Sequence, residues 1–150
     1  MVRVYVSSVI GAPIEQVWDF VRDFNALPKW FPAVTDSHIE GGWRADQVGC
    51  IRNFAVQGGQ RMREQLLSLS DVSHSWTYKM VEGAMPITNY VPTFRLLPIT
   101  DDNRTFAEGA VRFDCAREKE SEMAAFFAKT YRAAFDQLKQ HFGGAKATKA

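Results

Sequence analysis

EKESEMAAFFAKTYRAAFDQLKQHF, residues 118–142, is the clearest element of the chain. Apolar side chains recur at positions 123, 127, 130/131, 134, 138 and 142, the spacing of one helical face. Glu118, Glu120 and Glu122 crowd its start, and Lys139 and His141 lie near its end, so the charges oppose the helix macrodipole. At roughly seven turns it is longer than an ordinary surface helix. Its apolar stripe needs a broad partner, and the residues before it supply one.

Val2 to Ile10 alternates Val2, Val4 and Val6, a first strand. Gly11-Ala12-Pro13 ends it, and Pro13 suits the first turn of a helix. Ile14, Val17, Trp18 and Val21 then predict a short helix over about 13–22. Asp23-Phe24-Asn25 breaks it, and Leu27 to Phe31 makes one more turn before Pro32. Six further strands follow, over about 34–40, 49–56, 60–70, 75–82, 88–97 and 104–113. Turn residues separate the later ones: Gln57-Gly58-Gly59, Asp71-Val72-Ser73, Gly83-Ala84-Met85-Pro86 and Thr100 to Asn103. Short turns make consecutive strands antiparallel. The expected fold is α+β, a curved seven-stranded antiparallel sheet wrapped around the long C-terminal helix. The two short helices after strand one plug its open end with Trp18, Phe20, Trp30 and Phe31. One domain over residues 1–142 is expected. GGAKATKA, residues 143–150, has lost all periodicity and should fray.

Of 150 residues, 46% are hydrophobic, enough for a core without staples. Eighteen Lys and Arg against seventeen Asp and Glu leave a net charge of +1. That balance gives no electrostatic case for nucleic acid or an anionic membrane. Cys50 and Cys115 form no CxxC and, with three histidines, are too few for a common structural zinc site. They read as reduced thiols of a cytoplasmic protein. The opening MVRVYVSSVI reads as strand rather than secretory signal, and no stretch approaches the ~20 apolar residues of a membrane span. Asn103-Arg104-Thr105 matches a glycosylation acceptor, a chance match without a leader. His38, His74 and His141 lie near element ends, and GxSxG, HExxH and P-loop motifs are absent.

Strand alternation assigns the interior, and a slip of one residue reverses it. On the fourth strand Met62, Glu64 and Leu66 form the more apolar face. A two-residue loop at Gly58-Gly59 would set Asn53 opposite Glu64. A three-residue loop, Gln57 to Gly59, would set Arg52 there and turn Phe54 and Val56 inward. The second register is the expected one. The inward set is then Arg52, Phe54, Val56, Met62, Glu64, Leu66, Tyr78, Met80, Tyr90, Phe94 and Glu108, with Phe127, Tyr131 and Ala134 from the long helix. Arg61 and Arg63 face solvent. An interior of aromatic and methionine side chains with a few polar groups suits a flat or oily small molecule. Arg52, Glu64 and Glu108 read either as a structural ion network or as a polar anchor, with Glu64 and Glu108 the candidate proton-transfer groups.

Ala12-Pro13, Val17-Trp18, Phe24 to Trp30, Pro32, Val48-Gly49-x-x-Arg52, Glu64-x-Leu66, Tyr78-x-Met80 and the terminal helix occur in one order. In this order and spacing the chain resembles the START/Bet v 1-like helix-grip superfamily, which includes polyketide cyclase/dehydrase and lipid-transport proteins. Val48-Gly49-Cys50-x-Arg52 and the run from Glu64 to Asn89-Tyr90 are similar to bacterial relatives of the plant abscisic-acid receptors. The resemblance implies an apolar cavity between sheet and helix, usually without metal or organic cofactor. Two departures weigh against hormone-gated phosphatase binding: Gln57-Gly58-Gly59 is shorter than the receptors' gate loop, and Met85-Pro86 stands where their latch has a His-Arg pair. The expected function is binding of a hydrophobic small molecule (lipid, polyketide or aromatic metabolite) by a monomer or homodimer. The alternative is a cyclase-, aromatase- or hydratase-like enzyme. A third class is a partner-docking module closed by the Gly58-Gly59 turn and the Gly83 to Tyr90 segment.

Overall fold

The computed structural model describes residues 1–143. Residues 144–150, most of the stretch expected to fray, lie outside the described residues. Gly143 itself is held: its carbonyl accepts from the Gly11 amide at 3.0 Å.

The chain runs β1 (Val2–Ile10), α1 (Ile14–Val21), α2 (Leu27–Trp30), β2 (Val34–Ile39), β3 (Ile51–Val56), β4 (Arg61–Ser70), β5 (Ser75–Glu82), β6 (Thr88–Ile99), β7 (Arg104–Asp114) and α3 (Glu120–Phe142). The seven strands form one antiparallel sheet in the order β1-β7-β6-β5-β4-β3-β2. This is the helix-grip arrangement. Cross-strand pairing lengthens two strands beyond their sequence limits, through Ile99 opposite Arg104 and Thr88 opposite Asp114. Glu40 leaves β2 for a 3-10 turn, and Arg117–Lys119 forms another ahead of α3.

The register follows from one turn. Gly58 and Gly59 take φ of +98° and +90°, conformations that favour glycine. The Val56 amide donates to the Gln60 carbonyl at 3.0 Å, which closes a three-residue loop. Arg52 therefore stands opposite Glu64, and Phe54 opposite Met62. On β4 a bulge skips Leu67, so the inward parity passes from Leu66 to Leu69, opposite Trp76.

α3 buries Met123, Phe127, Tyr131, Ala134, Phe135 and Leu138 against the concave face. Phe142 is half-buried, edge-on to Phe20 at 5.4 Å. Trp18, Trp30 and Phe31 are buried at the end of the sheet. Trp18 donates to Asp71 at 2.7 Å, and Trp30 packs on Phe94 at 5.2 Å. Phe20 is only half-buried, stacked on His141 at 4.3 Å.

Gly109 on β7 sets the approach of α3 to the sheet. A Cβ there would lie 2.9 Å from Tyr131 Cδ1 and 3.5 Å from Phe135 Cζ. Gly109→Ala should therefore destabilise the fold by about 1–3 kcal/mol through overpacking, read as a lower urea midpoint at unchanged slope.

Candidate functional site

The interior site is built around one charge pair. Both side chains are buried, Arg52 at 2% exposure and Glu64 at 3%. Arg52 Nε and Nη2 donate to the same carboxylate oxygen, Glu64 Oε1, at 2.9 and 2.7 Å. Nη1 donates to the Phe24 carbonyl at 3.0 Å, between α1 and α2. The guanidinium stacks 3.9 Å over the Phe24 ring and 4.6 Å over Tyr78. Among the described residues none donates to Glu64 Oε2.

Three tyrosines share this interior. The Tyr78 and Tyr131 hydroxyls are 2.7 Å apart. Tyr90 stacks on Phe127 at 5.1 Å and meets Tyr78 edge-on at 6.4 Å. Burial pushes the Tyr131 hydroxyl up to about 12 and lifts Tyr78 and Tyr90 well above the usual phenol range. All three stay neutral near pH 7 and offer hydrogen bonds rather than charge. Burial also raises Glu64 above the ordinary carboxylate value, against the pull of Arg52. Burial opposes the Arg52 charge, but Glu64 together with Tyr78 and Tyr131 outweighs it and keeps the guanidinium protonated.

Most of the sequence-predicted set comes together here. Arg52, Phe54, Glu64, Leu66 and Tyr78 are buried from the strands β3, β4 and β5, and Tyr90 and Phe94 from β6. Phe127, Tyr131 and Ala134 are buried from α3. Val56, Met62 and Met80 are half-buried. Met62 and Met80 lie under Gly83, where a Cβ would fall 2.6 Å from Met80 Sδ.

Glu108 is a correction. On β7 the buried residues are Thr105, Ala107, Gly109, Val111 and Phe113, so Glu108 falls on the other face. There it accepts from Arg95 at 2.7 Å and from the Tyr5 hydroxyl. The three-member network does not form, and Glu64 is left as the interior carboxylate of the expected set. Sequence reading also left Phe24 out of the interior set, taking it locally as a helix break. Its carbonyl and ring both hold Arg52. The signal was faint: one aromatic between Asp23 and Asn25.

The sheet parts next to this site. β5 and β6 pair only over Ser75–Thr77 with Thr93–Arg95. The next inward residue of β6, Pro92, is fully buried and has no amide hydrogen to share. Gly83 to Ile87 crosses that parting. A depression of about 420 Å³ lies beside it, lined by Met85–Thr88 and by Asp114, Cys115 and Ala116. Among the described residues no three His, Cys, Asp or Glu side chains gather as a metal site, and no helix is long and apolar enough to cross a membrane.

A curved sheet gripping one long helix agrees with sequence comparison. The profile of "Polyketide cyclase / dehydrase and lipid transport" matches residues 1–143. The chain belongs to that family. With it the chain falls in the START/Bet v 1-like superfamily. Abscisic acid receptor PYL7 of Arabidopsis thaliana is 27% identical over 99 residues, 64% of this chain and 46% of that protein. Abscisic acid receptor PYL10 is 29% identical over 99 residues, 64% of this chain and 53% of that protein. The chain thus spans about half the length of these relatives. The solved structure of XoxI from Bacillus cereus superposes with a TM-score of 0.86 at 27% identity, covering 95% of this chain and 96% of that one. A Nitrosospira multiformis protein gives 0.81 at 28% identity, covering 98% and 99%.

Two outcomes follow from the buried pair. Arg52→Met strands a buried carboxylate and should cost about 3–5 kcal/mol at neutral pH in chemical denaturation. The pH dependence has a definite sign. Because the folded-state Glu64 pKa is raised, the folded chain keeps a proton that the unfolded chain releases near 4.5. The stability this supplies is full below that value and is lost as pH rises through the folded-state value. Urea titrations of wild type and Glu64→Gln should therefore show wild type losing ground steadily from pH 4.5 upward.

Proposed function

We propose that residues 1–142 act as one unit that binds a predominantly apolar small molecule between the sheet and α3. The ligand class is a lipid, polyketide or aromatic metabolite carrying at least one hydroxyl or other hydrogen-bond donor. The observation that carries this reading is the open acceptor at Glu64 Oε2, beside the Tyr78–Tyr131 hydroxyl pair, within an otherwise apolar interior. Buried polar groups ordinarily find partners, and an acceptor left over in an apolar space fixes ligand orientation. Arg52 holds the carboxylate in place, while Phe54, Leu66, Phe94, Phe127 and Ala134 supply apolar contact. Met80 and Tyr90 flank the parting of β5 and β6 and Met62 lies beside Met80, so the flexible methionines can repack around a guest, while Val56 adds apolar contact from β3. The family description, which includes lipid transport, and two relatives named as receptors for an organic acid support small-molecule binding. Gated docking to a protein partner is not carried over, because the β3–β4 turn has three residues and Met85-Pro86 occupies the other loop.

A second reading rests on the raised Glu64 pKa. A carboxyl whose proton is held more tightly by burial can deliver it to a leaving hydroxyl in a dehydration or ring closure. Substrate and proton donor would share one dry space.

Native mass spectrometry of the purified protein, with organic extraction of the same sample, should show a discrete bound mass and release its source. Glu64→Gln should weaken that ligand about tenfold, the value of one charge-assisted hydrogen bond, and Tyr131→Phe by less. Unchanged affinity in both variants would overturn the placement. Retained binding with turnover lost in Glu64→Gln would favour the enzyme reading.

A further inference from the structure

The outer face of the sheet carries a second, unrelated feature. One cross-strand row runs Tyr5, Ala110, Thr93, Thr77 across β1, β7, β6 and β5. The adjacent row sets Arg3 directly opposite Arg112. Ala110 is the smallest side chain in these rows. Its methyl leaves a depression of about 420 Å³ between Tyr5, the two threonines and the two arginines.

The charges of this groove are uncompensated. Among the described residues neither Arg3 nor Arg112 makes an ion pair or side-chain hydrogen bond, although both line the groove. Like charges directly opposite on antiparallel strands repel. The two carboxylates that flank Arg112 on the same face of β7 already have partners. Glu108 takes Arg95 and the Tyr5 hydroxyl, and Asp114 takes Asn89 at 2.8 Å and the terminal amine at 3.4 Å. Tyr5 is 58% exposed, yet its hydroxyl is fixed to an anchored carboxylate, so its ring is held as one wall of the groove. Thr77 and Thr93, with hydroxyls 3.3 Å apart, sit at the far end of the same row.

We propose that this groove binds a small oxyanion, a phosphate or carboxylate, held between the Arg3 and Arg112 guanidiniums with the threonine hydroxyls as further donors. Paired guanidiniums match the geometry of such anions, and shared occupancy would relieve their repulsion. The concave shape and the flanking Glu108 and Asp114 favour a compact anion over an extended polyanion or a flat anionic surface. The site is separate from the interior one: it lies on the opposite face of the sheet and does not depend on the interior ligand.

The test is a titration of the isotopically labelled protein with inorganic phosphate at constant ionic strength, followed by amide and arginine side-chain NMR, with chloride as control. The expected result is saturable shifts at Ala110, Thr93 and Thr77 and at the Arg3 and Arg112 side chains, in the millimolar range. Arg112→Gln or Arg3→Gln should weaken binding about tenfold. Ala110→Leu should abolish it by filling the groove while keeping both charges. All three positions are exposed, so the variants should fold. Co-sedimentation with phosphatidate and phosphatidylcholine vesicles separates the sources. Binding to phosphatidate alone, lost in Arg112→Gln, keeps the anion chemistry and assigns it to a lipid headgroup. Shifts that match chloride with no vesicle binding, or affinities unchanged in all three variants, overturn the proposal.

Discussion

The buried Arg52–Glu64 pair is the interaction on which the rest of this structure depends. It joins β3 to β4, and through the Phe24 carbonyl it joins both to the link between α1 and α2. Removing two charges from water is expensive, and a well-packed apolar pair would serve stability as well. Three hydrogen bonds and two aromatic faces offset that cost for Arg52. Glu64 is less well served, since both donors converge on one oxygen. The asymmetry makes the pair an anchor with one acceptor to spare rather than a closed structural bridge.

The surrounding side chains limit what that acceptor can do. Tyr78, Tyr90 and Tyr131 cannot ionise near neutral pH, because a phenolate in this interior would lose its hydration without gaining a cation of its own. Arg52 is committed to Glu64 and is no proton donor. The chemistry of the space is therefore hydrogen bonding to neutral groups, with Glu64 as the one member able to exchange a proton.

Much of this was legible in the sequence, and the exceptions have physical causes. The α3 stripe read clearly because a helix packed on one side repeats its apolar positions. The glycine turn left two registers open, and the one that turns Phe54 and Val56 inward, which the family resemblance also supports, is the one that forms. Glu108 was misplaced because β7 hides its parity. Its inward positions include Ala107 and Gly109, kept small so that α3 can approach, while Phe106 sits on the outer parity. Size and hydrophobicity therefore point the wrong way. The Leu67 bulge and the parting of β5 from β6 were invisible for another reason: both are pairing defects, and alternation alone does not report where pairing fails. Phe24 holds Arg52 largely through its backbone carbonyl, which no side-chain pattern reveals.

Small residues on β7 thus do two jobs on two faces. Inside, Gly109 lets the Tyr131 ring lie against the strand and carries its hydroxyl to Tyr78. Outside, one residue further on, Ala110 opens the groove beneath Arg3 and Arg112. The interior, by contrast, is lined by aromatic side chains packed on one another, Tyr90 on Phe127 and Trp76 on Phe94 among them. The cheapest part to move is the one with the fewest ladder hydrogen bonds. That is the stretch beyond Thr77 and Thr93, where Pro92 cannot donate, Asn89 turns through a positive φ of 53° and Gly83 leaves room for two methionine side chains. The weak stretch of the sheet and the spare acceptor lie close together: Glu64 on β4 stands directly opposite Met80 of β5, one of the two methionines beneath Gly83.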